Sequence, residues 1–152
     1  MLFVACETEE EIPMKYLPFI ITLLLTSPAI AADLSIEMLN RDADGNKMVF
    51  SQEIVNINSG DTITWVPTSK GHNVEIVSSP NDTVFKSKTN REAKLTFTEP
   101  GTYYYWCTPH KSMGMIGLIV VDGDTSNIGE VAKAKAVGKS KKKLKALLGQ
   151  LS

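Results

Sequence analysis

Gly101-Thr102-Tyr103-Tyr104-Tyr105-Trp106-Cys107-Thr108-Pro109-His110-Lys111-Ser112-Met113-Gly114-Met115 is the most informative stretch of the chain. Its first half, entered from a Pro100-Gly101 turn, is rich in aromatic and β-branched residues and reads as a strand. Alternation along that strand puts Tyr103, Tyr105 and Cys107 on one face and Tyr104 and Trp106 on the other, so Trp106 is expected to face outward. Its second half is a loop that leaves the strand at Cys107 and carries a thiol, an imidazole and two thioethers within nine residues.

Around this stretch, residues 34 to 121 fall into short alternating runs separated by turn residues, the pattern of strands with one buried face. Leu34-Ser35-Ile36-Glu37-Met38 alternates, Asp44-Gly45 turns, and Val55-Asn56-Ile57-Asn58 alternates again. Further runs are Thr62 to Trp65, Val74 and Ile76 about Glu75, and Leu95 and Phe97 between polar neighbours. Ile116 to Val121 is apolar throughout, which predicts the last strand in a central position of its sheet. About eight such strands predict an all-β fold, a Greek-key β-sandwich. Beyond Asp124 the composition turns to Ala, Lys and Leu, and Val131, Leu144, Leu147 and Leu148 predict two short helices divided near Gly138. Helices this short are marginal alone. Residues 125–152 are therefore expected to pack on the sandwich through Leu144, Leu147 and Leu148, with their lysines outside.

Ahead of the first strand, Met14-Lys15, the apolar run Leu17 to Leu25 and Ala29-Ile30-Ala31 have the form of a signal peptide over residues 14–31. That predicts export to the periplasm. The run is shorter than the ~20 residues of a membrane span, and no span is expected later. Glu7, Glu9, Glu10 and Glu11 carry the wrong charge for the start of a signal, so residues 1–13 read as a non-native N-terminal extension, with translation beginning at Met14. Removing residues 1–31 leaves 15 basic and 13 acidic side chains, a near-neutral chain. Seven lysines from Lys133 to Lys145 crowd the end, and a solvated helix face is the expected reading in preference to a nucleic-acid-binding tail. Cys6 would be lost on export, leaving Cys107 alone in an oxidising compartment.

A lone cysteine is most often an inert buried residue. Here it shares a loop with His110, and the only other histidine of the chain, His72, lies in Lys70-Gly71-His72-Asn73-Val74-Glu75. Thiolate, thioether and imidazole are soft donors that suit copper, and two His plus one Cys in a plane with a weak axial Met describe a blue-copper site. Zinc could occupy the same residues tetrahedrally, but it favours Cys, His and carboxylate ligands, so the thioether argues for copper.

Gly-His-Asn-Val-Glu, followed about thirty residues later by Cys-Thr-Pro-His-x4-Met-x-Gly, resembles the cupredoxin family, and within it the pseudoazurins. Met38-Leu39-Asn40, Met48-Val49-Phe50, Gly60-Asp61-Thr62, Lys86-Ser87-Lys88 and Pro100-Gly101 extend the similarity across residues 32–124, the expected cupredoxin domain. The resemblance implies one type 1 copper ion held by His72, Cys107 and His110, with Met115 as the axial ligand. Met113 has the spacing found in amicyanins; Gly114 and Gly117 around Met115 favour the latter and leave Met113 on the surface. Two departures stand out. The Asp42 to Asn46 turn is about one residue longer than in relatives, and Trp106 replaces a smaller or charged residue.

Four protein ligands leave no open coordination position for hydrolysis or oxygen activation, so an enzyme is not expected. The expected role is a one-electron carrier, monomeric, passing electrons transiently from a c-type cytochrome to a terminal reductase such as copper nitrite reductase. His110 is the expected port, with Pro109, Met113 and Ile116 as an apolar rim and Lys70, Lys86, Lys88 and Lys111 around it. Copper sequestration or delivery is the alternative, and it would call for the exposed Met or His clusters that the sequence lacks. A copper oxidase would need further His pairs.

Overall fold

The computed structural model describes residues 31–151. The expected extension and nearly all of the expected signal peptide, together with Cys6, lie outside the described residues. Eight strands follow in order: β1 (Asp33–Arg41), β2 (Lys47–Phe50), β3 (Ile54–Ile57), β4 (Thr62–Val66), β5 (Glu75–Ser78), β6 (Ala93–Thr96), β7 (Gly101–Trp106) and β8 (Ile116–Val121). A 3-10 helix (Thr108–Met113) separates the last two, and α1 (Ile128–Lys133) and α2 (Ser140–Leu148) end the fold. The all-β sandwich read from the sequence is the fold observed, with β2 added to the strands legible by alternation.

The strands form two four-stranded sheets, β2-β1-β4-β6 and β3-β8-β7-β5. β1 runs parallel to β4 and β3 parallel to β8, whereas the other neighbours are antiparallel. Period-2 alternation carries Ile36, Met38, Ile63 and Trp65 from one sheet, and Val55, Ile57, Tyr103, Tyr105, Ile119 and Val121 from the other, into a shared core. Aromatic rings dominate it. Trp65 meets Tyr105 edge-on at 5.4 Å between centroids, and Phe50 meets the same tyrosine at 4.8 Å. Gly117, opposite Tyr105 in the β7–β8 register, leaves the room this ring needs, because a Cβ there would run into its phenol end.

β8 lies inside its sheet, as its unbroken apolar run predicts. Its even-numbered face, with Tyr104 and Trp106 of β7, is covered by Val131, Leu144, Leu147 and Leu148 from the two helices. The division near Gly138 is real: this residue has φ +57°, and a Cβ on it would collide with the Ser112 carbonyl. α1 is tied to β7 by the Asn127 side chain, which accepts from Thr102 N–H at 2.8 Å and donates to Thr102 O at 2.9 Å, standing in for a strand neighbour. Asp61 ties the start of β1 to β4, accepting from the N–H groups of Ala32 (2.7 Å) and Asn58 (2.8 Å). No helix among the described residues is long and apolar enough to cross a membrane.

One expectation fails here. Trp106 was expected to face outward, and it does leave the inter-sheet core, but it is only 4% exposed. The reason is the second layer: the face that alternation assigns to the outside of β7 is roofed by α1 and α2, so both faces of β7 are dry.

Candidate metal centre

Each side chain of the site comes from a different constraint of the fold. Cys107 follows β7 directly and its backbone N–H bonds Met115 O at 2.9 Å, which closes the loop back onto the start of β8. Pro109 opens the 3-10 helix with φ preset, and the turn places His110 three residues from Cys107. Gly114, in the left-handed region at φ +96°, ends the helix and bonds His110 O and Lys111 O. His72 comes from just before β5, the edge strand that pairs with β7.

The three groups converge. Cys107 Sγ lies 3.4 Å from His110 Nδ1 and 3.6 Å from His72 Nδ1, and the two imidazole nitrogens are 3.2 Å apart. A point equidistant from the corners of that triangle lies about 2.0 Å from each, within reach of ordinary metal–nitrogen and close to metal–sulfur bonds of ~2.0–2.3 Å. The remaining ring nitrogen of His72, Nε2, bonds Asn40 Oδ1 at 2.9 Å. A carbonyl oxygen can only accept, so Nε2 carries the proton and Nδ1 turns a bare lone pair inward. Among the described residues this is the His/Cys/Asp/Glu group arranged to hold a metal ion.

Burial favours the neutral forms of these groups. It pushes the Cys107 thiol up, against the Asn73 and His110 backbone N–H groups that favour the thiolate. It holds the His72 imidazole below its ordinary value, with a smaller effect from His110, and lowers His110 as well. A cation between two unprotonated imidazoles and a thiolate supplies the charge that burial alone withholds. Soft donors, convergent lone pairs and a fixed outer partner fit copper.

His72 and Cys107 are fully buried, and His110 is partly exposed. Met115 is also fully buried and shares the inter-sheet cluster with Cys107, whereas Met113 is 43% exposed, as expected. Met48, beyond the long turn, is partly buried against that cluster at φ +55°. Pro109 is exposed, but Ile116 is not part of the apolar rim. It is fully buried beneath the helices, because its position on β8 faces their layer. Lys86 leans on Glu75 at 3.4 Å, and Lys111 Nζ stands 4.6 Å from the centre of the Trp106 ring.

The copper-binding protein family described as plastocyanin/azurin matches residues 37–122. The chain belongs to that family. It is 41% identical to pseudoazurin of Paracoccus pantotrophus over 133 residues, covering 86% of this chain and 91% of the relative. It is 33% identical to a plastocyanin of a Synechococcus strain, covering 65% of this chain and 80% of that protein. The crystal structure of pseudoazurin from Hyphomicrobium denitrificans superposes with a TM-score of 0.73 at 33% identity, over 78% of this chain and 97% of that one. Copper is thus the cofactor, and the chain is a blue-copper electron carrier of the cupredoxin class rather than an enzyme.

Around the donors stand residues to which the sequence reading assigned no role: Asn40 behind His72, and Asn73, Thr108 and Glu75 beside Cys107. Asn73 follows one proposed ligand and Thr108 another, and that adjacency was the available signal. Asn40 adjoins no ligand, its contact spanning 32 residues, and only its place in the Met38-Leu39-Asn40 stretch of the resemblance marked it.

Proposed function

We propose that His72, Cys107 and His110 hold one copper ion in a trigonal plane, that Met115 is the axial ligand, and that electrons enter and leave through the exposed side of His110. The observation that carries this reading is the triangle of His72 Nδ1, Cys107 Sγ and His110 Nδ1, 3.2 to 3.6 Å apart, with one corner partly open to solvent and two buried. Copper so bound exchanges one electron between Cu(I) and Cu(II). The chain supplies a donor set held at neighbouring strands of one sheet, with His72 braced from the other sheet by Asn40, so that little rearrangement accompanies the exchange.

The partners are redox proteins met briefly in the periplasm: a c-type cytochrome as donor and a terminal reductase, such as a copper nitrite reductase, as acceptor. Exposed Pro109 and Met113 form a small apolar contact, suited to weak redox encounters. Lys70, Lys86, Lys88 and Lys111 lie in the segments about it and would steer an acidic partner. A signal peptide over residues 14–31 delivers a monomeric chain whose residues 32–124 form the copper domain and whose residues 125–152 cover one sheet. The deciding experiment is the absorption spectrum of the copper-loaded, oxidised protein with single-turnover transfer to such a reductase. An intense thiolate-to-copper band and fast, salt-sensitive transfer are expected; a colourless protein would refute the site.

A further inference from the structure

We propose that Glu75 is a positioning residue for Cys107, acting through the two residues that flank it, Trp106 and Thr108, and through Asn73. This rests on the reading of Cys107 as the copper-binding thiolate.

Glu75 opens β5 directly opposite Trp106 in the β5–β7 register. Its Oε2 accepts from Trp106 Nε1 at 2.8 Å and from Thr108 Oγ1 at 2.6 Å, so one oxygen receives donors from both sides of the cysteine. Its other oxygen faces Lys86. Burial works against the charged form, but the hydrogen bonds from Thr108 and Trp106 and the ammonium of Lys86 outweigh it and hold the carboxyl below its ordinary range.

A carboxylate has no proton to give, and that sets the polarity of everything behind it. The single hydroxyl proton of Thr108 goes to Glu75, so Thr108 Oγ1 must accept on its other side, where Asn73 Nδ2 lies at 3.1 Å. Asn73 Oδ1 then faces the opposite way, accepting from Thr108 N–H at 2.9 Å and lying 3.8 Å from Cys107 Sγ. Both bonds to Thr108 demand the same orientation of the Asn73 amide. That residue is 3% exposed and adjoins His72, so the chain reaches from a partly exposed carboxylate to the segments carrying two of the three donors. Without an acceptor at position 75, the indole N–H loses its partner in a site that is 4% exposed, and the Thr108 hydroxyl is free to turn.

The test compares Glu75→Met, which removes the acceptor, with Glu75→Gln, which removes the charge but leaves an oxygen able to take both donors. Cu(I) affinity is read by competition with a chelator, the Cu–S stretch by resonance Raman, and the Trp106 indole N–H exchange by NMR of the metal-free protein. Glu75→Met should lose ~10- to 100-fold in copper affinity, move the Cu–S stretch and speed indole exchange, and Glu75→Gln should restore all three towards wild type. Thr108→Val breaks the same chain from the other end, so adding it to Glu75→Met should cost little more than either change alone. Equal shifts in the Met and Gln variants would trace the effect to charge and overturn the proposal. An unmoved Cu–S stretch and affinity in Glu75→Met would also overturn it. A copper-loaded wild type without a thiolate band is a different failure: it removes the ligand reading itself, and the proposal with it.

Discussion

Asn40 Oδ1 accepts the Nε2 proton of His72 across 2.9 Å, so a residue of β1, in one sheet, decides which nitrogen of a histidine beside the other sheet faces the copper site. The first prediction follows from that bond. Asn40→Val leaves Nε2–H without a partner and frees the ring to take the other tautomer. Copper affinity should fall by ~10- to 100-fold, the cost of losing an outer partner of a ligating imidazole. Chelator competition measures the affinity, and 15N shifts of the metal-free His72 ring report the tautomer. A wild-type ring protonated on Nδ1 would contradict the geometry outright.

The axial position separates two methionines of the same loop. Met115 is fully buried beside Cys107 in the inter-sheet cluster, and Met113 is largely in solvent. Met115→Gln should keep the thiolate band but shift the reduction potential, because the axial ligand tunes the metal without closing the plane. Met113→Gln should leave the potential nearly unchanged. Voltammetry of the two variants tests this, and the opposite ranking would transfer the axial role to Met113. Cys107→Ser should abolish the band.

Acid should weaken the metal-free protein. Burial, and for His72 the nearby His110 charge, hold both imidazoles below their ordinary value in the folded state. Above the unfolded value of ~6.5 neither state carries the protons, and stability is at its full level. As pH falls below that, the unfolded chain binds protons that the folded chain refuses, and stability declines until pH passes below the depressed folded values. Urea midpoints of the metal-free protein should therefore fall from about pH 7.5 to about pH 5, and fall less in His110→Gln. Equal slopes in the two proteins would assign the loss to other groups.

The sandwich was legible because period-2 alternation is a local signal: Ile36 and Met38, or Tyr103 and Tyr105, declare a buried face within five residues. The donors were legible because the soft ligands crowd one loop and the chain holds only two histidines. What could not be read were consequences of layers. Leu144, Leu147 and Leu148 announce a docking face, but nothing local says that it covers Trp106 and Ile116. The expectations of an outward Trp106 and of Ile116 in the rim both failed there. Strand β2 is four residues long and begins beside Met48 with positive φ, so its alternation is too short to declare itself.

The burial of Trp106 sharpens the choice between two electron routes. Trp106 is bonded to the Cys107 residue, which would make it a short path, but its ring lies under Lys111 and beside α2's leucines, with its N–H spent on Glu75. A partner docking there would have to displace the Lys111 side chain and could reach only the edge of the indole. His110 is partly open and needs no such displacement. Charge reversal at Lys111 should therefore slow bimolecular transfer to an acidic reductase, with the effect shrinking as salt shortens the Debye length below ~8–10 Å. The copper spectrum should stay unchanged in Lys111→Glu. Trp106→Ala should instead cost stability, about 3–5 kcal/mol for an aromatic removed from a packed layer, without a specific loss of rate in the fraction that remains folded. Stopped-flow rates at two ionic strengths, set beside denaturation midpoints for both variants, separate the routes. A folded, spectrally intact Trp106→Leu protein that transfers electrons slowly, alongside an unimpaired Lys111→Glu, would move the port from His110 to the indole.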